Sequence, residues 1–285
     1  MMSPEFSPDD PETRQYAVIT GASSGIGEAF ARTLAKEGYS LILCARREEK
    51  LKRLVQEVSE HHHELDKGRG RDIIVCADLE KVDGIRKLTE AVDGIIKEGC
   101  RLSVFISCAG FGLAGAFDET DLDRELSMID LNIKAVHILM KHVLAIYEKQ
   151  GSGTLLNVAS SAGLFPGGPY LSTYYATKSY VCSLTRAAVQ EYKEKKSNIY
   201  IACLCPGPVD TEFNEVAKVS FALRGISAEA CVEYCMKMMK RKKIVIIPGS
   251  SIRAAVFFAR FLPSALLLRM TANQQKKKLY RRTVR

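Results

Sequence analysis

The sequence predicts one α/β domain built on a doubly wound, seven-stranded parallel sheet. Short β-branched runs alternate with longer helical patterns along most of the 285 residues. Strands that alternate with helices form right-handed crossovers, and these build a parallel sheet with helices on both faces. A glycine-rich turn follows the first run directly, so we expect a ligand site at the carboxyl ends of the strands.

Seven runs each predict a strand. They cover residues 16–20, 41–45, 72–77, 102–108, 154–159, 199–205 and 244–247. Residues 210–240 interrupt the alternation with scattered apolar side chains, and we expect a helical flap there that covers substrate. The predicted organisation is an N-terminal extension at 1–14, one domain at 15–250, and an apolar helix with a basic tail at 251–285.

The basic character of the chain is a property of its end. The net charge is +8, and six cations without an acid lie in the last ten residues, namely Lys276, Lys277, Lys278, Arg281, Arg282 and Arg285. This favours a solvated tail over a nucleic-acid or lipid patch. The apolar stretch 254–268 is interrupted by Arg260 and Pro263 and is shorter than the roughly 20 residues that a membrane span needs. No transmembrane segment and no nucleic-acid partner are predicted.

The cysteines indicate a reducing compartment. The nine Cys are an odd number, contain no C-x-x-C pair and mostly lie in apolar runs, which is typical of buried thiols. Residues 1–12 lack the basic and apolar regions of a secretion signal, so we expect a cytoplasmic protein. The histidines of residues 61–63 crowd a charged helix end, and no metal site is predicted.

The glycine turn after the first strand predicts a dinucleotide site. Its residues after Thr20 include Gly21, Ser23, Ser24, Gly25, Ile26 and Gly27. Glycines permit a tight turn and let backbone N–H groups approach a pyrophosphate at the positive end of a helix. The spacing G-x-x-x-G-x-G differs from both the usual G-x-G-x-x-G and the Walker A loop.

Taken with motifs further along the chain, this turn resembles that of the short-chain dehydrogenase/reductase family over residues 17–249. The recurring elements are Asp78-Leu79, Ala109-Gly110, Asn132, Tyr174-x-x-x-Lys178 and Pro206-Gly207-Pro208-Val209-x-Thr211. The resemblance implies a Rossmann-type fold, an NAD(P)-dependent alcohol/ketone oxidoreductase, and cofactor contacts from these positions. The chain departs from the family's Asn-Asn-Ala-Gly at Ser107-Cys108, which puts sheet bracing or cofactor affinity in doubt. For Cys108 we expect a small packing role rather than redox chemistry.

The resemblance also implies a catalytic set. Tyr174 is the expected proton donor to a carbonyl oxygen, and Lys178, one helical turn later, is expected to lower its pKa and hold the nicotinamide ribose. Either Ser160 or Ser161 orients the carbonyl; strand register favours Ser160. Asn132 holds a relay water behind the lysine, or is simply a buried amide satisfied by backbone.

A second copy of the tyrosine–lysine spacing occurs at Tyr192 and Lys196, with Ser179 thirteen residues before the tyrosine. This copy lies in the charged end of a helix. We expect a surface coincidence.

Cofactor choice depends on the residues after the second strand. Ala45 stands where an acid would bind the ribose hydroxyls, and Arg46 and Arg47 follow. An arginine fork suits a 2′-phosphate, so NADP(H) is favoured. Glu48 and Glu49 keep NAD(H) possible, as does the alternative that both arginines only begin a solvated helix.

The expected substrate is bulky, neutral and lipophilic. Residues near the predicted mouth are apolar or aromatic, namely Phe111, Leu113, Phe165, Tyr170, Phe213 and Phe221. Resemblance to hydroxysteroid dehydrogenases and 3-oxoacyl reductases favours a hydroxysteroid, with fatty-acyl or other lipophilic ketones as alternatives. A non-catalytic nucleotide-sensing protein is a remote alternative. The family's habit of pairing long helices, here 122–147 and 172–193 with apolar Leu139, Val143 and Ala187, predicts a homodimer or homotetramer.

Overall fold

The seven predicted strands all form, and they make one parallel sheet. The computed structural model describes residues 14–64, 72–213 and 225–280. The strands are β1 (Gln15–Thr20), β2 (Ser40–Ala45), β3 (Ile73–Cys76), β4 (Arg101–Ser107), β5 (Ser152–Val158), β6 (Asn198–Leu204), β7 (Val209–Asp210), β8 (Ile226–Ser227) and β9 (Val245–Ile246). The main sheet has the order β3-β2-β1-β4-β5-β6-β9, and β7 pairs with β8 in a separate small sheet.

Helices connect these strands and cover both faces of the sheet. They are α1 (Gly25–Lys36), α2 (Glu48–Glu64), α3 (Val82–Lys97), α4 (Leu122–Ile129), α5 (Val136–Gln150), α6 (Ser172–Glu194), α7 (Ala228–Lys240), α8 (Ser250–Ala259) and α9 (Ser264–Tyr280). A π-helical turn at Asp130–Ala135 joins α4 to α5, and a 3₁₀ turn at Ser161–Leu164 follows β5.

Side chains alternate along the central strands, which is why the sheet has a core on each face. In β1, Ala17 and Ile19 pack in the core with α1, α2 and α7, whereas Tyr16 and Val18 pack in the core with α3, α5 and α6. Both faces are therefore apolar, as the near-continuous β-branched runs require.

The strand order reverses between β1 and β4, which are neighbours in the sheet. Their carboxyl ends place the glycine turn at Gly21 beside Ala109, and a Cβ on Gly21 would lie 3.0 Å from the backbone of Ala109. A crevice at such a switch point is where doubly wound folds bind ligands.

The predicted flap at 210–240 is wrong in its second half. Helix α7 packs on α1, and Cys231, Val232 and Cys235 lie fully buried in the main core. This segment is thus a layer of the domain and not a cover. The first half of the flap includes residues 214–224, and this range, with its predicted mouth residue Phe221, lies outside the described residues. Most of the N-terminal extension and the last five residues of the tail lie outside them as well.

The C-terminal region predicted as one helix forms two, α8 and α9, which meet at Pro263. The buried side of α9 carries Leu267, Thr271 and Gln275, spaced four residues apart. In the part of the chain that the structure describes, no helix is long and apolar enough to cross a membrane. The division at residue 250 stays a prediction.

Candidate active site

The glycine turn forms a cradle that fits a dinucleotide. Gly21 and Gly25 have φ values of +68° and +56°, a conformation that favours glycine. A Cβ on Gly27 would lie 2.3 Å from the carbonyl oxygen of Gly21, so this glycine allows α1 to pack closely on the turn. Helix α1 begins at Gly25 without a side-chain cap from Ser24, and its first N–H groups can bind a pyrophosphate. The turn therefore has the backbone conformation that the predicted phosphate site requires, and the phosphate contact itself stays a prediction.

The two arginines after β2 already have partners. Arg46 pairs with Glu80 at 3.0 Å, and Arg47 pairs with Glu212 at 2.6 Å. Arg47 also donates to the hydroxyl and carbonyl oxygens of Ser23. Both arginines lie along the cleft, but they diverge into separate contacts and do not form a ready-made fork. Sequence spacing could not reveal either acid, because they lie 34 and 165 residues away.

The departure at β4 is compensated by Thr20. Its hydroxyl oxygen accepts hydrogen bonds from the N–H groups of Cys108 and Ala109, at 2.9 and 3.0 Å. These bonds brace the end of β1 against the end of β4. Burial raises the pKa of the Cys108 thiol to about 12, so the thiol is protonated at neutral pH, as its expected packing role requires.

The predicted catalytic tyrosine and Ser160 lie together. Ser160 and Tyr174 both line the cleft, and the oxygen of Ser160 accepts a hydrogen bond from the N–H of Ala162. Ser161 instead uses its N–H to bond the carbonyl oxygen of Pro206, although it too lines the cleft. Burial raises the pKa of Tyr174 to about 12, although the neighbouring Ser160 hydroxyl opposes this shift. In the free protein Tyr174 is therefore a protonated group, able to donate to an oxygen.

Lys178 lies one turn behind the tyrosine. Its Nζ is 5.9 Å from the centre of the Tyr174 ring and donates to the carbonyl oxygen of Val158 at 3.0 Å. Burial lowers the pKa of Lys178, because a desolvated ammonium is disfavoured. Both residues line the cleft, so a ribose bound there would meet the lysine.

Asn132 makes the contacts of a buried amide, which is the second of the two alternatives predicted for it. Its fully buried amide donates to the carbonyl oxygen of Phe111 and the hydroxyl of Thr177, and accepts from the N–H of Phe111. Through these bonds the side chain holds the loop that follows β4 in place. The proton-relay role of Asn132 stays a prediction. The π-helical turn that contains it is a rare element often found at functional sites.

The competing copy at Tyr192 is a packing contact. Tyr192 is buried, and its hydroxyl donates to Glu148 of α5 at 2.9 Å. Lys196 follows the end of α6 with a φ of +52°, so it is no longer on the tyrosine's helical face. The expected surface location of this tyrosine was wrong, because α5 covers it.

One cleft of about 580 Å³ joins the glycine turn to Tyr174, a size typical of cofactor and ligand sites. The remaining predicted cofactor residues on its walls are Ser23, Ser24, Ile26, Asp78, Leu79, Ala109, Gly110, Pro206, Gly207, Val209 and Thr211. Of the predicted mouth, Phe111, Phe165 and Phe213 line the cleft. The ring of Phe213 lies 5.6 Å from that of Tyr174.

Sequence reasoning missed the wall made by the C-terminal helices. Ile252 and Ala255 of α8 and Gln274 and Gln275 of α9 line the cleft. Gln275 is buried and donates to the hydroxyl of Tyr175 at 3.0 Å, which fastens α9 beside the predicted catalytic tyrosine, Tyr174. The sequence feature that could have indicated this contact is the pair of adjacent glutamines, which follows an apolar helical stretch by one to two turns.

Three cysteines converge behind the site. The Sγ atoms of Cys182, Cys203 and Cys205 lie 3.5 to 3.7 Å apart. Hydrogen bonds from the other two thiols, and then the nearby charge of Lys178, lower the pKa of Cys182. The predicted absence of a metal site rests on sequence spacing, which does not show this convergence of three possible ligand atoms.

The general prediction of buried thiols holds for six of the nine cysteines. Cys100 and Cys108 are half-buried. Cys76 is exposed at the end of β3, which is an edge strand of the sheet formed by the described residues.

Comparisons with known proteins agree with this geometry. Residues 15–219 match the family model described as short chain dehydrogenase. The chain is 31% identical over 210 residues to the very-long-chain 3-oxoacyl-CoA reductase of Anas platyrhynchos, covering 72% of this chain and 63% of that protein. It is 32% identical over 200 residues to the 17-beta-hydroxysteroid dehydrogenase type 3 of Homo sapiens, covering 70% and 60%.

The fold is also that of solved relatives. A short-chain dehydrogenase from Sphingobium yanoikuyae in complex with NADPH superimposes with a TM-score of 0.73 at 26% identity, covering 87% of this chain and 94% of that one. A matched family model over most of the chain, the seven-stranded sheet and a tyrosine–lysine pair in the cleft lead to one conclusion: the chain is an oxidoreductase of the short-chain dehydrogenase family.

Proposed function

We propose that the chain uses NADPH to reduce the ketone of a bulky lipophilic substrate, a hydroxysteroid-type molecule foremost. The observation that carries the proposal is the grouping of Ser160, Tyr174 and Lys178 on the wall of one cleft, beside its apolar section. Bound NADPH supplies the hydride. Tyr174 donates the proton to the carbonyl oxygen, Ser160 orients that oxygen, and Lys178 holds the ribose and favours the phenolate left behind. Asn132 positions Phe111 at the edge of this site.

The cleft section around Tyr174 supports a neutral substrate. Its walls include Phe111, Leu171, Phe213, Ile252 and Ala255. A fused-ring ketone buries apolar area against such walls, which contributes roughly 25 cal/mol per Å². Relatives named for hydroxysteroid and 3-oxoacyl-CoA substrates support both candidate classes.

A 3-oxoacyl thioester of coenzyme A is the second candidate. The ammonium of Lys276 lies 5.4 Å from the centre of the Tyr170 ring, on the helix that lines the cleft, and could meet the anionic part of such a substrate. We expect higher kcat/KM for a 3-ketosteroid or 17-ketosteroid than for a 3-oxoacyl-CoA, followed as the loss of NADPH absorbance across a ketone panel. The reverse order, with Lys276→Ala impaired only toward the thioester, would establish the second candidate.

NADP(H) preference remains part of the proposal. The side chain of Arg46 is more than half exposed, and its pair with Glu80 is a surface ion pair worth about 0 to 1 kcal/mol. A 2′-phosphate can replace Glu80 as the partner of Arg46, with a charge-assisted contact of roughly 1.5 to 3 kcal/mol. Glu48 and Glu49, the alternative ribose contacts, both pair with Lys52 on α2.

Arg46→Ala is therefore expected to lower kcat/KM with NADPH by about tenfold to a hundredfold, while kcat/KM with NADH changes little. Ala45→Asp should reverse the preference, because its carboxylate would repel the phosphate. The measurement is kcat/KM with both cofactors for the native protein and each variant, with Lys52→Ala as a control on the same helix. A native preference for NADH, or equal loss of both cofactors in Arg46→Ala, would contradict this assignment.

We propose that the enzyme is a homodimer or homotetramer in the cytoplasm; its free thiols support a reducing compartment. Two of the three apolar residues first taken as evidence are unsuitable, since Leu139 and Val143 are buried in the monomer's own core, whereas Ala187 is exposed. The outer faces of the same long helices nevertheless carry exposed Ile138 and Tyr180, where Tyr180 bonds His137. An exposed apolar face on paired helices favours association.

Ile138→Glu combined with Tyr180→Glu is expected to shift sedimentation toward the monomer, because two buried carboxylates would oppose each other across a two-fold interface. Val82→Glu, at a more exposed apolar position on α3, is the control and should sediment like the native protein. A native protein that sediments as a monomer at all concentrations would refute the oligomer.

A further inference from the structure

Helices α8 and α9 expose a cluster of large apolar side chains, here called the C-terminal plateau. Three phenylalanines form its centre, with Phe257, Phe258 and Phe261 exposed by 53%, 63% and 72%. The ring of Phe257 lies 5.5 Å from each of the other two. The plateau continues through Leu262, Leu266, Leu268 and Met270. Contiguous apolar surface of this kind on a folded protein marks an interaction site.

Positive charge surrounds the plateau. Residues 234–285 contain 14 Lys and Arg and not one Asp or Glu, whereas residues 1–233 contain 33 acids against 27 cations. Arg260 and Arg269 are exposed within the plateau itself. The excess of positive charge therefore begins far before the last ten residues, which the sequence analysis identified as the basic tail.

We propose that the C-terminal plateau docks the enzyme on the surface of an anionic phospholipid bilayer. Aromatic and leucine side chains enter the boundary between headgroups and acyl chains, while arginines and lysines beside them bind the lipid phosphates. This combination of apolar and cationic side chains fits a bilayer and does not fit the other candidate partners. A second copy, placed by two-fold symmetry, would bring Arg260 and Arg269 against the same cations with no carboxylate to pair them. A nucleic-acid duplex would offer the phenylalanines no apolar surface.

The plateau and the cleft share the same helices. Helix α8 turns Ile252 and Ala255 toward the cleft and carries Phe257 and Phe258 on its exposed side. Docking would thus place the cleft wall at the membrane surface, where a lipophilic ketone is concentrated. This delivery of substrate rests on the proposed function; the docking itself rests on charge and exposure alone.

The test is co-sedimentation of the full-length protein with vesicles of phosphatidylcholine alone and of equimolar phosphatidylcholine and phosphatidylglycerol. We expect binding to the mixed vesicles, weakened by salt, and little binding to the neutral ones. Arg260→Gln with Arg269→Gln should weaken partitioning about 25-fold, from roughly fivefold per cation. Phe257→Ser, Phe258→Ser and Phe261→Ser together should weaken it by at least about tenfold.

Two matched controls lie on α3. Arg86→Gln with Lys87→Gln removes two exposed cations, and Val82→Ser removes an exposed apolar side chain; both should bind vesicles like the native protein. All the replaced side chains are exposed, so every variant is expected to fold. The melting temperature and the turnover of a water-soluble ketone check this.

Failure to bind the mixed vesicles, or equal binding by the phenylalanine triple variant, would overturn the proposal. So would a triple variant that changes only the oligomeric state, or native protein that binds a DNA duplex more tightly than the vesicles. Vesicle binding needs no turnover. If docking occurs while no ketone is reduced, the proposed function fails and the docking surface stands.

Discussion

Tyr174→Phe is expected to reduce kcat/KM for ketone reduction by between about 10²- and 10⁴-fold, the usual contribution of a general acid. The variant lacks only the hydroxyl of a side chain that lines the cleft together with Ser160. Because burial raises the pKa of Tyr174 to about 12, the native phenol is protonated at neutral pH and is a competent donor there. Cofactor affinity, measured by isothermal titration calorimetry, should stay within a few fold of native.

The matched control is Tyr192→Phe, which removes the equivalent hydroxyl from the competing copy. That hydroxyl donates to Glu148 in a contact between helices, so its loss should cost about 1 kcal/mol of stability and leave kcat/KM nearly unchanged. An active Tyr174→Phe protein beside an inactive Tyr192→Phe protein would mean that the proton donor is assigned to the wrong tyrosine.

Ser160→Ala is expected to lower kcat/KM by about 10²- to 10³-fold, because the proposed function assigns its hydroxyl to the carbonyl oxygen as a hydrogen-bond donor. The oxygen of Ser160 also accepts from Ala162 at the start of the 3₁₀ turn, so the variant loses a cap as well. Cap loss alone costs about 1 kcal/mol. We expect a melting temperature lower by a few degrees and a far larger loss of turnover.

Ser161→Ala is the control for the choice between the two serines. Ser161 sits next in the chain and lines the same cleft, but its backbone N–H makes the contact with Pro206 and survives the substitution. Its kcat/KM should remain within about threefold of native, because a difference of roughly 0.6 kcal/mol corresponds to about threefold. A greater loss in Ser161→Ala than in Ser160→Ala would reassign the orienting serine.

Much of the fold could be predicted because its signals are local. The β-branched runs define all seven strands, and the end of the run at Ala159 fixes the register that points Ser160 toward the tyrosine. The glycine turn identifies the switch point, since positive φ at Gly21 and Gly25 is a requirement of the backbone itself.

The rest depends on contacts distant in sequence. Nothing near Arg47 indicates that Glu212 will pair with it, and nothing near Tyr175 indicates a bond from Gln275. Helix α7 was mistaken for a flap for a similar reason, because its mixed pattern acquires a buried face only once α1 is beside it.

The π-helical turn at Asp130–Ala135 changes the rotation, about the helix axis, of one half of a long helix relative to the other half. An extra residue in a turn rotates everything beyond it by about 100° relative to a regular α-helix. The offset lets α4 set Arg124 over the ring of Phe111, at 3.9 Å, while α5 turns Val143 and Tyr147 into the core. Deleting one residue there would restore regular hydrogen bonding yet swing Arg124 off its aromatic partner. Gaps in this stretch when relatives are aligned should therefore be read as changes of rotation between helix halves, not as shortened helices.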